Sequence, residues 1–156
     1  MIIRQYIQYA IASMSRDATE LPLIMAIDQH ASLPPWSQQQ WMDSIAAEHL
    51  IFVCKHAEQV MGFLVMMPVV DDLEILSIAV SPQHQRQGCG SALLSFALDY
   101  AKQYGFRKLL LEVRASNNNA IHLYSKHQFK QTGLRKNYYR LSTGREDALL
   151  FEREIA

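Results

Sequence analysis

The chain has only two cysteines, Cys54 and Cys89, in 156 residues, too few for a disulfide framework and without metal-ligand spacing. That scarcity suits a reducing compartment, so a cytoplasmic protein is expected. Its six histidines are scattered, with no HExxH and no Cys/His cluster, and no metal is expected. No apolar run approaches the roughly 18 residues of a membrane span. The longest, VMGFLVMMPVV at 60–70, is broken by Gly62 and Pro68, and no membrane association is expected. The leading stretch MIIRQYIQYAIASMSRD lacks the basic flank, apolar segment and small-residue cleavage site that together make an export signal. Excess charge is missing too. A net charge of zero argues against non-specific nucleic-acid binding.

What remains is ordinary globular composition, 49% apolar and 19% charged, enough for one domain over residues 1–156 with a normal core. The zero net charge hides a division. Residues 1–80 hold three Lys/Arg and nine Asp/Glu, whereas residues 81–156 hold twelve Lys/Arg and six Asp/Glu. A polyanionic ligand on the second half and a cationic substrate facing the first would suit this balance, as would chance distribution over solvated faces.

Residues 8–14 read as a short first strand. From Thr19, ELPLIMAIDQH carries Leu23, Ile24 and Ile27 at helical spacing, with Pro22 tolerated in the first turn. SLPPWS is a turn, and Ser37 with Gln40 forms a capping box for a helix over 38–48. LIFVC and VMGFLVMM, separated by KHAEQ, predict a hairpin. LEILSIAV, 73–80, predicts a strand ended by Ser81-Pro82. Residues 91–104 predict a helix with Leu94, Leu98 and Ala101 on one stripe and Gly105 as its C-terminal cap. KLLLEV, 108–113, predicts a strand, and ASNNN caps a short helix near 119–127. Strands over about 129–140 and 146–154 close the chain. The central strand–helix–strand unit requires a parallel pair, whereas the hairpins are antiparallel, so a mixed sheet with helices packed on it is expected.

Between the strand 73–80 and the next helix lies QRQGCGSALL. A Walker A loop would end in Gly-Lys-Ser/Thr, and no lysine is present. A Rossmann fingerprint would need a third glycine where Leu93 stands. Two readings survive: a glycine turn whose backbone N–H groups point at an anion, helped by Arg86, or a plain loop with glycines for tight packing.

IAVSPQHQRQGCGSALL resembles the acyl-CoA-binding motif of the GNAT superfamily of N-acyltransferases, Gln/Arg-x-x-Gly-x-Gly/Ala, which Gln85, Gly88 and Gly90 fill. LLLEVRASNNNAIHLY, RKNYY, GREDALLF and PPWS at 34–37 extend the resemblance to the bacterial ribosomal-protein-alanine N-acetyltransferases, from about Thr19 to the C-terminus. The resemblance implies a mixed α/β (α+β) fold: a largely antiparallel sheet with a central parallel strand pair and flanking helices. It also implies acetyl-CoA as acetyl donor and the N-terminus of a small-subunit ribosomal protein as substrate. Ile78, Ala79 and Val80 would pair with the pantetheine arm, and Arg86, Gln87, Gly88, Cys89, Gly90 and Ser91 would surround the pyrophosphate of coenzyme A. Three departures stand out. Ser81 replaces a commonly acidic residue, Gln128 replaces the glycine usual before Phe129, and extra residues lead the chain.

Acetyl transfer to an amine needs a neutral nitrogen, a stabilised oxyanion and a proton for the departing thiolate. With a pKa near 8, an α-amine meets the first need more readily than a lysine near 10.4. The resemblance assigns the base to Glu112, whose plainer role is a strand-end salt bridge with Arg114, on the same face. It assigns the general acid to Tyr124, otherwise an aromatic anchor for a short helix. Asn117 would bond the pantetheine, cap a helix, or do both. Backbone N–H groups near Val80 would hold the oxyanion. Cys89 is a tolerated small side chain, since the ligand supplies the reacting sulfur. Trp36, Tyr138, Tyr139 and Glu146 are expected at the peptide, with Arg145 and Asp147 nearby; sheet packing for the tyrosines and an Arg145–Asp147 pair are the alternatives. Lysine side chains or a small amine as substrate, and a non-catalytic acyl-CoA sensor, remain open alternatives.

Overall fold

The computed structural model describes residues 3–6, 8–15 and 19–155. Part of the leading stretch read for an export signal, residues 1, 2, 7 and 16–18, lies outside them. Among the described residues, eight strands form a mixed, largely antiparallel sheet with one parallel pair, accompanied by four α-helices, the fold class expected. No described helix is long and apolar enough to cross a membrane. The chain divides into two compact units, residues 1–67 with 77–96, and residues 68–76 with 97–156.

In the first unit, β1 (Ile3–Tyr6), β2 (Tyr9–Ser13), β3 (Leu50–His56) and β4 (Gln59–Val69) run antiparallel in that order. The continuous apolar runs of β3 and β4 are buried on both faces, which is why neither strand alternates. Their hairpin turns on Ala57 (φ 48) and Glu58 (φ 69), a two-residue loop with both centres left-handed and no glycine or asparagine. Pairing of Phe52 with Leu64 and of Val53 with Phe63 puts Phe52 and Phe63 on opposite faces. Phe96 packs on Phe52 with centroids 4.6 Å apart, and Trp41 on Phe63 at 5.3 Å, so helices cover both faces. Trp41 belongs to α2 (Gln38–Ala46), which opens with the expected capping box: Ser37 Oγ accepts from Gln40 N, and Gln40 Oε1 accepts from Ser37 N. Ahead of it runs α1 (Leu21–Ala31).

β5 (Asp72–Val80) and α3 (Cys89–Gln103) each belong partly to both units. In the second unit the parallel ladder with β6 (Lys108–Arg114) pairs Leu73, Glu74 and Ile75 with Leu109, Leu110 and Leu111. It ends there, whereas β5 runs on to Val80. β8 (Gly144–Glu154) pairs antiparallel with β6 and with β7 (Lys130–Leu141). Burial alternates along β6: Leu109, Leu111 and Val113 face the core, while Glu112 and Arg114 share the other face. Gly105 (φ 76) ends α3 as expected, with Phe106 N bonded to Ala101 O at 2.9 Å and Gly105 N to Lys102 O at 3.3 Å. The same pattern ends α4 (Asn118–Lys126), with Phe129 N on Tyr124 O and Gln128 N on Ser125 O, both at 3.0 Å. Gln128 takes the left-handed place (φ 67), so the turn forms without the glycine that the resemblance implies there, at a cost of about 1–2 kcal/mol.

Candidate active site

The first unit carries the glycine bend. After β5, a short 3-10 turn (Pro82–His84) leads into residues 85–88, all exposed. Gln85 Nε2 donates to Val80 O at 3.1 Å, tying the bend to the strand end. Arg86 (φ 62) and Gly88 (φ 96) are both left-handed. Ala92 N reaches Gly88 O at 3.0 Å, so Gly88 stands at the start of α3, where first-turn N–H groups lack intrahelical acceptors. A Cβ on Gly88 would meet only Tyr9 Cε2 at 3.8 Å, so the backbone conformation, not crowding, requires glycine. Gly90 lies within the first helical turn. Tyr9 Oη donates to Gln87 O at 2.8 Å, and a cavity of about 410 Å³ lies between Tyr6, Tyr9, Gln87, Gly88, Ser91 and Ser95. The bend is therefore open on its outer side.

Cys89 turns its side chain inward. Its Sγ lies 3.0 Å from that of Cys54, and the hydrogen bond between the two thiols first, then burial, hold Cys54 far above its usual range. Beneath Cys89, Gly62 on β4 sits beside a bulge, and a Cβ there would lie 2.7 Å from the Ala79 carbonyl and 3.3 Å from Cys89 Sγ. This glycine brings the end of β5 and the start of α3 together. Gly62→Ala is expected to destabilise the fold by about 1–3 kcal/mol, because both segments must shift, and to raise the KM for acyl-CoA on the expectation that these segments hold it. Thermal unfolding together with acetyl-CoA titration checks this; an unchanged KM would count against Gly62 as the spacer.

Trp36 follows a cis Leu33–Pro34 bond and packs against Trp41 with ring centroids 4.7 Å apart and ring planes tilted by 58°. Its loop is clasped by Asp28, whose Oδ2 accepts from Trp36 N at 2.9 Å and from Trp41 Nε1 at 3.2 Å. Asp28 is only 1% exposed, and its other oxygen is buried without a hydrogen-bond partner among the described residues.

The second unit carries the proton-handling candidates. The salt bridge considered for Glu112 is corrected by the structure: its partner is Arg135 (Nε–Oε1 3.4 Å), not Arg114. Arg114 instead pairs with Glu146 at 3.4 Å, and Glu146 also accepts from Ser116 N. Hydrogen bonding with the Ser116 side chain first, then with its backbone, and the Arg114 charge hold the Glu146 carboxyl below the usual carboxylate range against the opposing effect of burial. Arg135 lies two residues beyond Gly133, which opposes Leu150, itself the partner of Glu112. The arginine thus reaches over β8 on Glu112's own face.

A bulge between Arg135 and Tyr139 sets the tail motif. Asn137 (φ 54) anchors it: its N–H donates to Asp147 Oδ1 at 2.9 Å, and its carbonyl accepts from Arg145 at 3.3 Å. An Arg145–Asp147 pair is therefore replaced by two bonds to Asn137. Tyr138 is exposed, with the Arg135 guanidinium 5.3 Å from its ring centroid. The Glu112 charge, then burial, push its phenol upward. Tyr139 is pushed up to about 12 by burial first and Glu112 second.

Tyr124 is buried against Phe129 and Phe151, with centroids 5.9 and 6.4 Å away. Burial, then Tyr139, push its phenol well above the ordinary value. Tyr139 thus lies within electrostatic reach of both Tyr124 and Glu112. Asn117 caps α4, Oδ1 accepting from Ala120 N at 3.3 Å. Sequence reasoning missed Arg135 and Glu74 at this face. RKNYY held the first in plain view, but no local pattern points to the second.

The profile of the acetyltransferase (GNAT) family matches residues 11–129. The chain is 37% identical over 142 residues to the [ribosomal protein bS18]-alanine N-acetyltransferase of Escherichia coli strain K12, covering 91% of this chain and 96% of that one. The enzyme of the same name from Salmonella typhimurium is 34% identical over 138 residues, 88% and 93% of the two chains. Among solved structures, the ribosomal-protein-S18-alanine N-acetyltransferase from Escherichia coli superposes with a TM-score of 0.86 at 35% identity, over 95% and 94% of the chains. Ard1 from Thermoplasma volcanium follows at 0.85 and 27%, over 96% and 99%. With the family profile, the near full-length identity and the fold all in agreement, this chain belongs to the acetyltransferase (GNAT) family.

Proposed function

We propose that the protein is an acetyl-CoA-dependent N-α-acetyltransferase that modifies the N-terminal alanine of the small-subunit ribosomal protein bS18, working in the cytoplasm. The observation that carries this reading is near full-length similarity to enzymes named for that reaction.

In this reading the first turn of α3 and Arg86 hold the diphosphate oxygens of coenzyme A, whose bound thioester supplies the acetyl carbon. The end of β5, Ile78 to Val80, lies past the last parallel pair at Ile75, which supports its pairing with the pantetheine amides. Asn117 spends one lone pair on its cap and keeps another for the same arm. A backbone N–H near Val80 receives the oxyanion. Glu112 takes the proton from the α-amine, and Tyr124 donates to the departing sulfur. Trp36, Tyr138, Tyr139 and Glu146 form the surfaces that meet the peptide.

The expected result is acetylation of a synthetic peptide beginning with free alanine, located at the α-amine by fragmentation mass spectrometry. An N-blocked peptide containing lysine should stay unmodified. Modification of the blocked peptide alone would replace this reading with lysine acetylation. Tight acetyl-CoA binding without turnover on either would make the protein a sensor.

A further inference from the structure

Glu74 stands on β5 opposite Leu110 in the parallel ladder. Leu110 and Glu112 share a face, so Glu74 lies on the same face as Glu112, on the neighbouring strand. Two carboxylates are thus served by one guanidinium, Arg135, which is 3.4 Å from Glu112 and acts on Glu74 through space. Among the described residues Glu74 makes no ion pair. The other charges here are matched, Arg114 with Glu146 at 3.4 Å and Asp72 with Arg107 at 3.7 Å. Tyr138 responds to both carboxylates and Tyr139 to Glu112. When ionised, the cluster of Glu74, Glu112 and Arg135 carries one negative charge in excess.

An unmatched carboxylate partly withdrawn from water is costly, and a positive ligand would relieve the cost. An α-amine with a pKa near 8 arrives mostly protonated at neutral pH. We propose that Glu74 binds the α-ammonium group of the incoming peptide, leaving Glu112 free to accept its proton. This rests on the reading of Glu112 as the base. The excess charge is neutralised when the ammonium arrives, and one carboxylate stays ionised to hold the nitrogen while the other is protonated.

Burial first and Glu112 second hold Glu74 above the usual carboxylate range, with Arg135 opposing. A raised folded-state pKa contributes stability at acid pH that is lost as pH rises through the folded value. Glu74→Gln should therefore melt no lower than the parent at pH 7, which separates a binding role from a structural one.

Steady-state kinetics with a peptide beginning with free alanine tests the proposal. Glu74→Gln is expected to raise the peptide KM about tenfold, the worth of one charge-assisted contact, with the acetyl-CoA KM unchanged. Glu74→Asp, which keeps the charge, should restore part of the affinity. An unchanged peptide KM in Glu74→Gln, with Glu112→Gln nearly inactive, would overturn this inference alone. Full activity of Glu112→Gln would remove the base assignment and this inference with it.

Discussion

Replacing Glu112 with glutamine is expected to lower kcat by about 10²–10⁴-fold near neutral pH while acetyl-CoA affinity stays constant. Glutamine keeps the shape of the side chain but cannot take a proton. The lost pair with Arg135 involves side chains 55% and 20% exposed, so the stability change should be only about 0–1 kcal/mol. The defect should also depend on pH in a particular direction. Near neutrality most of the α-amine is protonated, so the parent gains most there from a built-in base. Above about pH 9 the free amine predominates and solvent base becomes competitive, so the gap between variant and parent should narrow. Rates within twofold of the parent at pH 7 would show that another group takes the proton.

The pieces legible in the sequence were those whose signals are local. Ser37 and Gln40 specify the start of α2 within four positions, and both bonds of the box form. Gly105 marks the end of α3 because a left-handed residue is needed there. The parallel pair followed from a helix lying between two apolar strands. β1 escaped because IRQY is four mixed residues with no alternation, paired only through its register with β2. The Asp28 clasp was hidden inside an apolar helical repeat, its partners eight and thirteen residues away. Charge partners were the least legible. Period-two spacing put Arg114 on Glu112's face correctly, yet cross-strand register decided that Arg135 would meet Glu112 and Glu146 would meet Arg114. The nearness of Glu74 to Glu112 depends on Leu73 facing Leu109, a pairing between residues too far apart for any local pattern to fix.

Tyr124→Phe is expected to cost about 10²-fold in kcat, with stability nearly unchanged because the ring contacts to Phe129 and Phe151 survive. Its pH signature should differ from that of Glu112→Gln. Burial holds the Tyr124 phenol above its ordinary value, so it remains protonated throughout the working range and its removal should cost the same factor from about pH 6 to 9. That same shift limits its role. Even an ordinary phenol near 10 would give its proton to a thiolate near 8.5 at a cost of about 2 kcal/mol, and burial widens the gap. A hydrogen bond that strengthens as charge builds on sulfur fits better than early proton transfer. Acetyl donors with more acidic thiols need less of that help, so the Tyr124→Phe defect should shrink along such a series. A defect of constant size across the donors would show that Tyr124 does not touch the departing sulfur.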